Sequence, residues 1–266
     1  MIRLKNTLIL FLIAIVAIST VSMVSAKDIT IGPNTPGGLK KAIDTAKNGD
    51  TIILTNGVYK GKNNRDIAIK KDIKIIGKGS NVVLDGEGKY KFLKIDRNKV
   101  SLTKIKFRNG FSNKFGGAIE SNAETLTVSS CIFTNNKAKY YGGAIYSPKG
   151  RILTVSSCTF TNNQVEKEGG GAIYKYDNKC TVDKSTFTNN KARYGGAVYI
   201  SRSGECTIGK STFTNNSATS MGGAIYNKAI SMKITDSNFK NNLDDKGKYI
   251  FNLNSKSLIT KNVNVS

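Results

Sequence analysis

Four tyrosines, Tyr146, Tyr174, Tyr199 and Tyr226, each follow a Gly-Gly-Ala-Ile or Gly-Gly-Ala-Val run, and they are the residues of this sequence best placed to bind something. If the preceding Ile or Val points into a core, strand alternation turns each tyrosine outward. An exposed tyrosine column beside Lys149, Lys175 and Arg202 offers stacking faces and positive charge, a combination suited to an acidic sugar chain. The competing reading is a structural aromatic ladder that shields strand edges.

Other chemistry is thinner. Histidine is absent, which removes His-based triads and His metal sites. A calcium-dependent polysaccharide lyase needs several carboxylates on one strand face and a basic residue to take the α-proton. The 18 acidic residues are scattered, and Asp244-Asp245 is the only adjacent pair. Glu166 and Glu168 read as loop charge, and Asp177, Asp183 or Glu205 would have to meet across a groove to hydrolyse a glycosidic bond. No catalytic residue, metal or cofactor is therefore assigned.

Cys131 and Cys158 each stand two residues before a Phe, and Cys180 and Cys206 seven before one. Stacked cysteines lie within disulfide range, yet cysteine is also a good small core residue, and core packing is the reading preferred here. Two separate columns do not supply four zinc ligands.

Those spacings come from a repeat. Phe107, Phe133, Phe160, Phe187, Phe213 and Phe239 recur every 26 or 27 residues, with Asn109, Asn135, Asn162, Asn189, Asn215 and Asn241 two positions later. Gly-Gly pairs at 116/117, 142/143, 170/171, 195/196 and 222/223 keep step. Within one unit Leu126, Val128, Cys131 and Phe133 point inward, Ser129-Ser130 turns the chain, Asn135-Asn136 breaks the strand, and a third strand begins at Gly143. Three short strands per period, stacked about 4.8 Å apart, predict an all-β, right-handed single-stranded parallel β-helix. The repeated Asn suits a left-handed turn and an amide ladder. Gly-Gly recurs in every coil without a following Lys-Ser/Thr helix, so it does not mark a phosphate site.

The organisation expected is a signal peptide over 1–26, a cap with a helix over 27–50, irregular first coils over 51–106, regular repeats over 107–243 and an irregular coil over 244–266. The leader combines Arg3 and Lys5, an apolar run from Leu8 to Ile18, and small residues ending at Ala26. The helix is read over 34–49, with Thr35 as N-cap, Pro36 in the first turn, and Leu39, Ala42, Ile43 and Ala46 on one face. It would cover the core and strand edges at one end of the solenoid. No other segment is apolar enough to span a membrane.

Cleavage would leave 39 basic against 18 acidic residues, a net charge of about +21 that favours anionic partners. An acidic polysaccharide or cell-wall polymer is the expected partner. Nucleic acid is not, because export argues against it and the basic residues do not cluster in a binding motif. Asn215 and Asn264 are N-x-S positions that permit glycosylation.

Gly143-Ala144-Ile145 with Phe133 and Asn136, and their counterparts, resemble the "GGAI" and "F-x-x-N" repeats of chlamydial polymorphic outer-membrane proteins and methanogen adhesin-like surface proteins. "AIDTAKNGDTIILTNGVYKG" (42–61) and "IKIIGKGSNVVLDG" (73–86) look like the entry into pectate-lyase-like helices. The resemblance covers about 35–243. It implies a pectate-lyase-like solenoid, a fold that hosts lyases, hydrolases and non-catalytic adhesins, and the leading reading is a secreted or cell-surface, adhesin-like protein without catalysis. The alternatives are a polysaccharide lyase or glycoside hydrolase of that fold, or a structural spacer.

Overall fold

The computed structural model describes residues 25–96, 98–202, 204–253 and 258–266, so the leader expected over 1–26 lies almost wholly outside the described residues. The chain winds into about nine turns of a parallel solenoid. Among the described residues every strand pairing is parallel and joins equivalent residues of successive turns, as Leu126 joins Val100 and Leu153. Among the described residues three sheets of 17, 5 and 8 strands form the walls. One coil illustrates the pattern. Thr125–Ser129 and Ile132–Thr134 belong to the large sheet, Lys137–Ala138 to the short one and Ile145–Ser147 to the third. The two-residue strand at Lys137–Ala138 is too short to leave an apolar alternation in the sequence, which is why three strands per period were expected and four are found.

The corners follow from backbone chemistry. Ser130 and Asn135 both adopt positive φ, 51° and 56°, and so do their equivalents in each coil. Gly142 turns the chain again at φ 63°. Its neighbour Gly143 is needed for a different reason: a Cβ there would sit 2.1 Å from the carbonyl oxygen of Gly171 in the next coil. The first glycine of each pair supplies the turn and the second permits coil-to-coil approach.

The core is columnar. The six phenylalanines at 107, 133, 160, 187, 213 and 239 stack with centroids 4.7–4.9 Å apart and planes within 8° of parallel. All are at most 1% exposed, and each contributes about 1.5–3 kcal/mol by burial. The asparagines divide their labour. The first of each pair takes the left-handed turn, while the second, at Asn136, Asn163, Asn190, Asn216 and Asn242, is buried and forms the ladder. Asn163 Nδ2 donates to Asn190 Oδ1 at 3.0 Å and to the Phe133 carbonyl at 3.0 Å, and its neighbours repeat this. The ladder begins at Gly110, whose N–H donates to Asn136 Oδ1.

At the N-terminal end helix α1 (Gly38–Thr45) is shorter than expected, and Thr35 is not its cap. Thr35 Oγ1 instead accepts the Gly32 N–H, and Gly37 enters the helix at φ 81°. The orphan amide of Leu39 is satisfied from a distance by Asn64 Oδ1 at 2.9 Å. Leu39, Ala42, Ile43 and Ala46 do form the buried face, packed in the main core with Ile31, Ile52 and Leu54. The entry strands also run longer than expected: Thr51–Tyr59 pairs with Ile73–Asp85 through a register shift between Thr55 and Gly57. At the other end Ile250, Leu258 and Val263 are only partly buried.

Candidate binding site: an aromatic band and an adjoining step in the solenoid

The tyrosines occupy one column, with Tyr174 in register with Tyr146 and Tyr199, and Tyr199 with Tyr226. Alternation does turn them away from the main core, because Ile145, Ile173, Val198 and Ile225 point inward and are fully buried. They are nevertheless not exposed: Tyr174, Tyr199 and Tyr226 retain only 6, 8 and 6% of their surface, and Tyr146 is half-buried. This corrects the expectation of an open stacking surface.

A second column provides the physical reason. The residue before each Gly-Gly pair, namely Phe115, Tyr141, Gly169, Tyr194 and Met221, is folded back across the tyrosines by the glycine turn, and these residues bridge to one another in parallel. Phe115 stacks on Tyr146 at 4.6 Å, Tyr141 lies 4.4 Å from Tyr174, and Tyr194 lies 5.3 Å from Tyr226. At Gly169 the Tyr199 ring fills the gap, since a Cβ there would lie 2.1 Å from Tyr199 Cδ1. The rings spend their faces on each other. The signal was present in the sequence as Phe, Tyr and Tyr before Gly116, Gly142 and Gly195.

The hydroxyls respond to this burial. Tyr141 is pushed up to about 12 by burial and by the nearby Glu168 carboxylate, and burial raises Tyr174 further. Burial works against the Lys228 ammonium, but hydrogen bonds donated to the Tyr226 and Tyr199 hydroxyls outweigh it and raise its pKa. Arg202 is exposed at the margin and donates to the Tyr176 hydroxyl. Arg193 stands 5.0 Å from the Tyr194 ring centroid and Lys139 5.5 Å from that of Tyr140. Lys175 departs from expectation entirely. It follows Tyr174 by one residue, so alternation sends it into the solenoid, where it is 1% exposed and donates to the Gly150 carbonyl.

A second feature lies where the short sheet begins. Its first strand is Phe111–Ser112, because the preceding coil has a tight turn through Gly86, Glu87 and Gly88 at that position, with positive φ at the last two. The step leaves a cleft of about 690 Å³ lined by Lys60, Asp85, Glu87, Asn109, Phe111 and Lys137. Sequence reasoning missed it, since it results from a strand absent in one coil and present in the next. Phe111 is 39% exposed, and Lys60 and Lys137 are exposed beside it. Asp85 is held by Arg108 Nε at 2.8 Å, Asn109 Nδ2 at 3.1 Å and the Glu87 amide at 3.0 Å. Burial pushes its carboxyl up, but these three donors outweigh that and keep it below the usual range. The arrangement can hold a ring against Phe111 and an anion between two ammonium groups.

Of the acids considered for hydrolysis, Asp183 and Glu205 are not brought together: Asp183 pairs in register with Ser156 and Gly209, whereas Glu205 pairs with Ser231 in another column. Among the described residues no three His, Cys, Asp or Glu side chains converge to hold a metal, and no helix is long and apolar enough to cross a membrane. All four cysteines are buried free thiols.

Comparison with known proteins agrees with this architecture. Residues 149–265 match the family described as the right handed beta helix region, and residues 130–148 match the Chlamydia polymorphic membrane protein repeat. No curated protein matches the chain. Among solved structures it is similar to the PL6 family alginate lyase AlyGC, at 15% identity with a TM-score of 0.52 over 91% of this chain. It spans 40% of that enzyme's chain, and at this identity the likeness speaks to fold alone. The winding, the registers and both family matches give the chain the architecture of a right-handed parallel β-helix built from repeats.

Proposed function

We propose that this protein is a surface-associated, adhesin-like module that binds acidic polysaccharide without catalysis, and that the cleft beside Phe111 is its main contact. The observation carrying this reading is the convergence of an exposed aromatic ring with Lys60 and Lys137 in a cleft where Arg108 pairs with Asp85 and Glu87 is the remaining carboxylate. The formal net charge of +23 would concentrate an anionic polymer near the rod. The match to a polymorphic membrane protein repeat supports a surface setting. Lys139, two residues after Lys137, adds to the positive charge at this end of the cleft.

The test is retention on immobilised polyuronate, with a neutral polysaccharide as control, at low and high salt. Retention is expected on the polyuronate, to weaken as salt rises, and to fall several-fold in Phe111→Ala and Lys137→Ala with circular dichroism unchanged. Undiminished retention in both variants, or salt-insensitive binding to the neutral sugar, would refute the reading. A second reading, polysaccharide lyase, draws support from the cleft's pairing of lysines with a carboxylate and from the fold shared with an alginate lyase. Ultraviolet absorbance of newly formed unsaturated chain ends on incubation with alginate or pectate would establish it in place of the first.

A further inference from the structure

The short sheet forms a ladder that leads away from the Phe111 cleft. Its outward positions, in register from coil to coil, are Phe111, Lys137, Gln164, Lys191 and Ser217. The alternate positions Ser112, Ala138, Val165, Ala192 and Ala218 are buried, so strand alternation sends the first set to solvent. Phe111, Lys137 and Lys191 are exposed, and Gln164 and Ser217 are half-buried. Unlike the Phe and Asn columns, this one does not repeat a residue type. It runs aromatic, cation, amide, cation, hydroxyl, with positive charge on every second coil.

The flanking residues reinforce that alternation. Lys139 and Arg193 stand two residues beyond Lys137 and Lys191, at 5.5 and 5.0 Å from the ring centroids of Tyr140 and Tyr194, so each cationic coil presents two positive groups. The coil between them carries Glu166, Lys167 and Glu168 after Gln164, one cation against two carboxylates. Glu166 pairs with Lys167 at 3.4 Å while both side chains stay more than half exposed. Successive coils are 4.8 Å apart at the Phe133, Phe160 and Phe187 centroids, and two such steps put the cationic coils about 9.6 Å apart. An extended pyranose chain advances by close to one sugar per coil and one disaccharide per two coils.

We propose, resting on the acidic-polysaccharide reading and narrowing it, that a linear polysaccharide of alternating acidic and neutral sugars lies along this ladder, one sugar per coil, with its acidic sugars on Lys137 and Lys191. A neutral sugar stacks on Phe111, and the carboxylate of the next meets Lys137 and Lys139. The third sugar, again neutral, exchanges hydrogen bonds with the Gln164 amide, which both donates and accepts. The carboxylate of the fourth meets Lys191 and Arg193. In a homopolyuronate the additional carboxylates gain nothing: they face Glu166 and Glu168, where like charge disfavours them, or turn to solvent.

The experiment measures dissociation constants of the full chain for oligosaccharides of equal length from hyaluronan, which alternates glucuronate with a neutral amino sugar, and from polygalacturonate, which is acidic at every sugar. Hyaluronan should bind more tightly although it carries half the carboxylates. Lys191→Ala lies outside the cleft and should weaken hyaluronan binding about two- to fivefold with circular dichroism unchanged. Gln164→Lys, which puts a cation on the intervening coil, should strengthen polygalacturonate binding and narrow the gap. Tighter binding of polygalacturonate by the natural chain, weakened by Lys137→Ala, overturns the alternation and leaves the acidic-polysaccharide reading standing. Binding of neither oligosaccharide overturns both. Unchanged hyaluronan affinity in Lys191→Ala confines the contact to the cleft and overturns the ladder.

Discussion

Replacing Asn190 with alanine should cost several times more than replacing its neighbour Asn189, although the two are adjacent, chemically identical and repeated together in every coil. The Asn190 side chain makes four hydrogen bonds while fully buried. Its Oδ1 accepts the Asn163 N–H and Nδ2 at 3.0 Å each, and its Nδ2 donates to the Phe160 carbonyl and to Asn216 Oδ1 at 2.9 Å each. Truncation removes all four. Asn216 Oδ1 retains the Asn190 N–H, and Asn163 Nδ2 retains the Phe133 carbonyl, so neither is abandoned. The Asn163 N–H and the Phe160 carbonyl lose these partners inside the solenoid. At about 1–3 kcal/mol for each such group, with a smaller loss at the Asn163 amide, Asn190→Ala should destabilise by about 3–5 kcal/mol. Asn189 is exposed and serves by tolerating φ 55°, so Asn189→Ala should cost about 1 kcal/mol and Asn189→Gly close to nothing. Urea titration followed by circular dichroism measures both, with constant m-values checking that the unfolding unit is unchanged. Hydrogen exchange at the Asn163 amide locates the loss. An Asn190→Ala penalty no larger than that of Asn189→Ala would refute the division of roles between turn and ladder.

The glycine pair yields a parallel contrast. Gly143→Ala would place a Cβ 2.1 Å from the Gly171 carbonyl oxygen, so it should cost at least about 2 kcal/mol and lower the thermal midpoint, whereas Ala144, already fully buried, bears no such constraint. The Tyr199 ring is packed among Tyr174, Tyr194 and Tyr226, so Tyr199→Ala should destabilise by about 3 kcal/mol in the same titration, and any loss of glycan retention in that variant must be corrected for the fraction unfolded. Two carboxylates set the acid limb. Asp50 is lowered by the Lys47 and Lys27 backbone amides, and Asp85 is lowered by its donors despite burial. Because their folded pKa values lie below the ordinary carboxylate value of 3.8, the stability they add is present above that value and is lost as pH falls through the lower folded ones. Melting temperatures between pH 5 and 2 should therefore fall less steeply in an Asp50→Asn, Asp85→Asn double variant than in the natural chain.

What could be read in advance was whatever repeats. A column of Phe, Asn or Gly announces itself as a period, and stacking follows because no coil can bury its own apolar face. What could not be read was any feature set by contact between columns. Both asparagines recur with the same period, so the sequence alone assigned turn and ladder to one residue, and only the alternation of burial separates Asn135 from Asn136. The tyrosines were correctly turned outward by alternation, yet outward is not exposed once Tyr141 and Tyr194 lie across them. Lys175 obeyed the same alternation in the opposite sense, one residue after an outward Tyr, and counting along Ile173, Tyr174 and Lys175 would have placed it inside. The capping helix shows the limit from another side. Thr35 and Pro36 make a plausible local start, but the helix begins at Gly38 because Asn64, 25 residues downstream, reaches back to the Leu39 amide. The cleft beside Phe111 is the extreme case: it exists because one coil turns where the next extends. A search by period finds the scaffold first, and a cleft of this kind has to be sought where neighbouring coils differ.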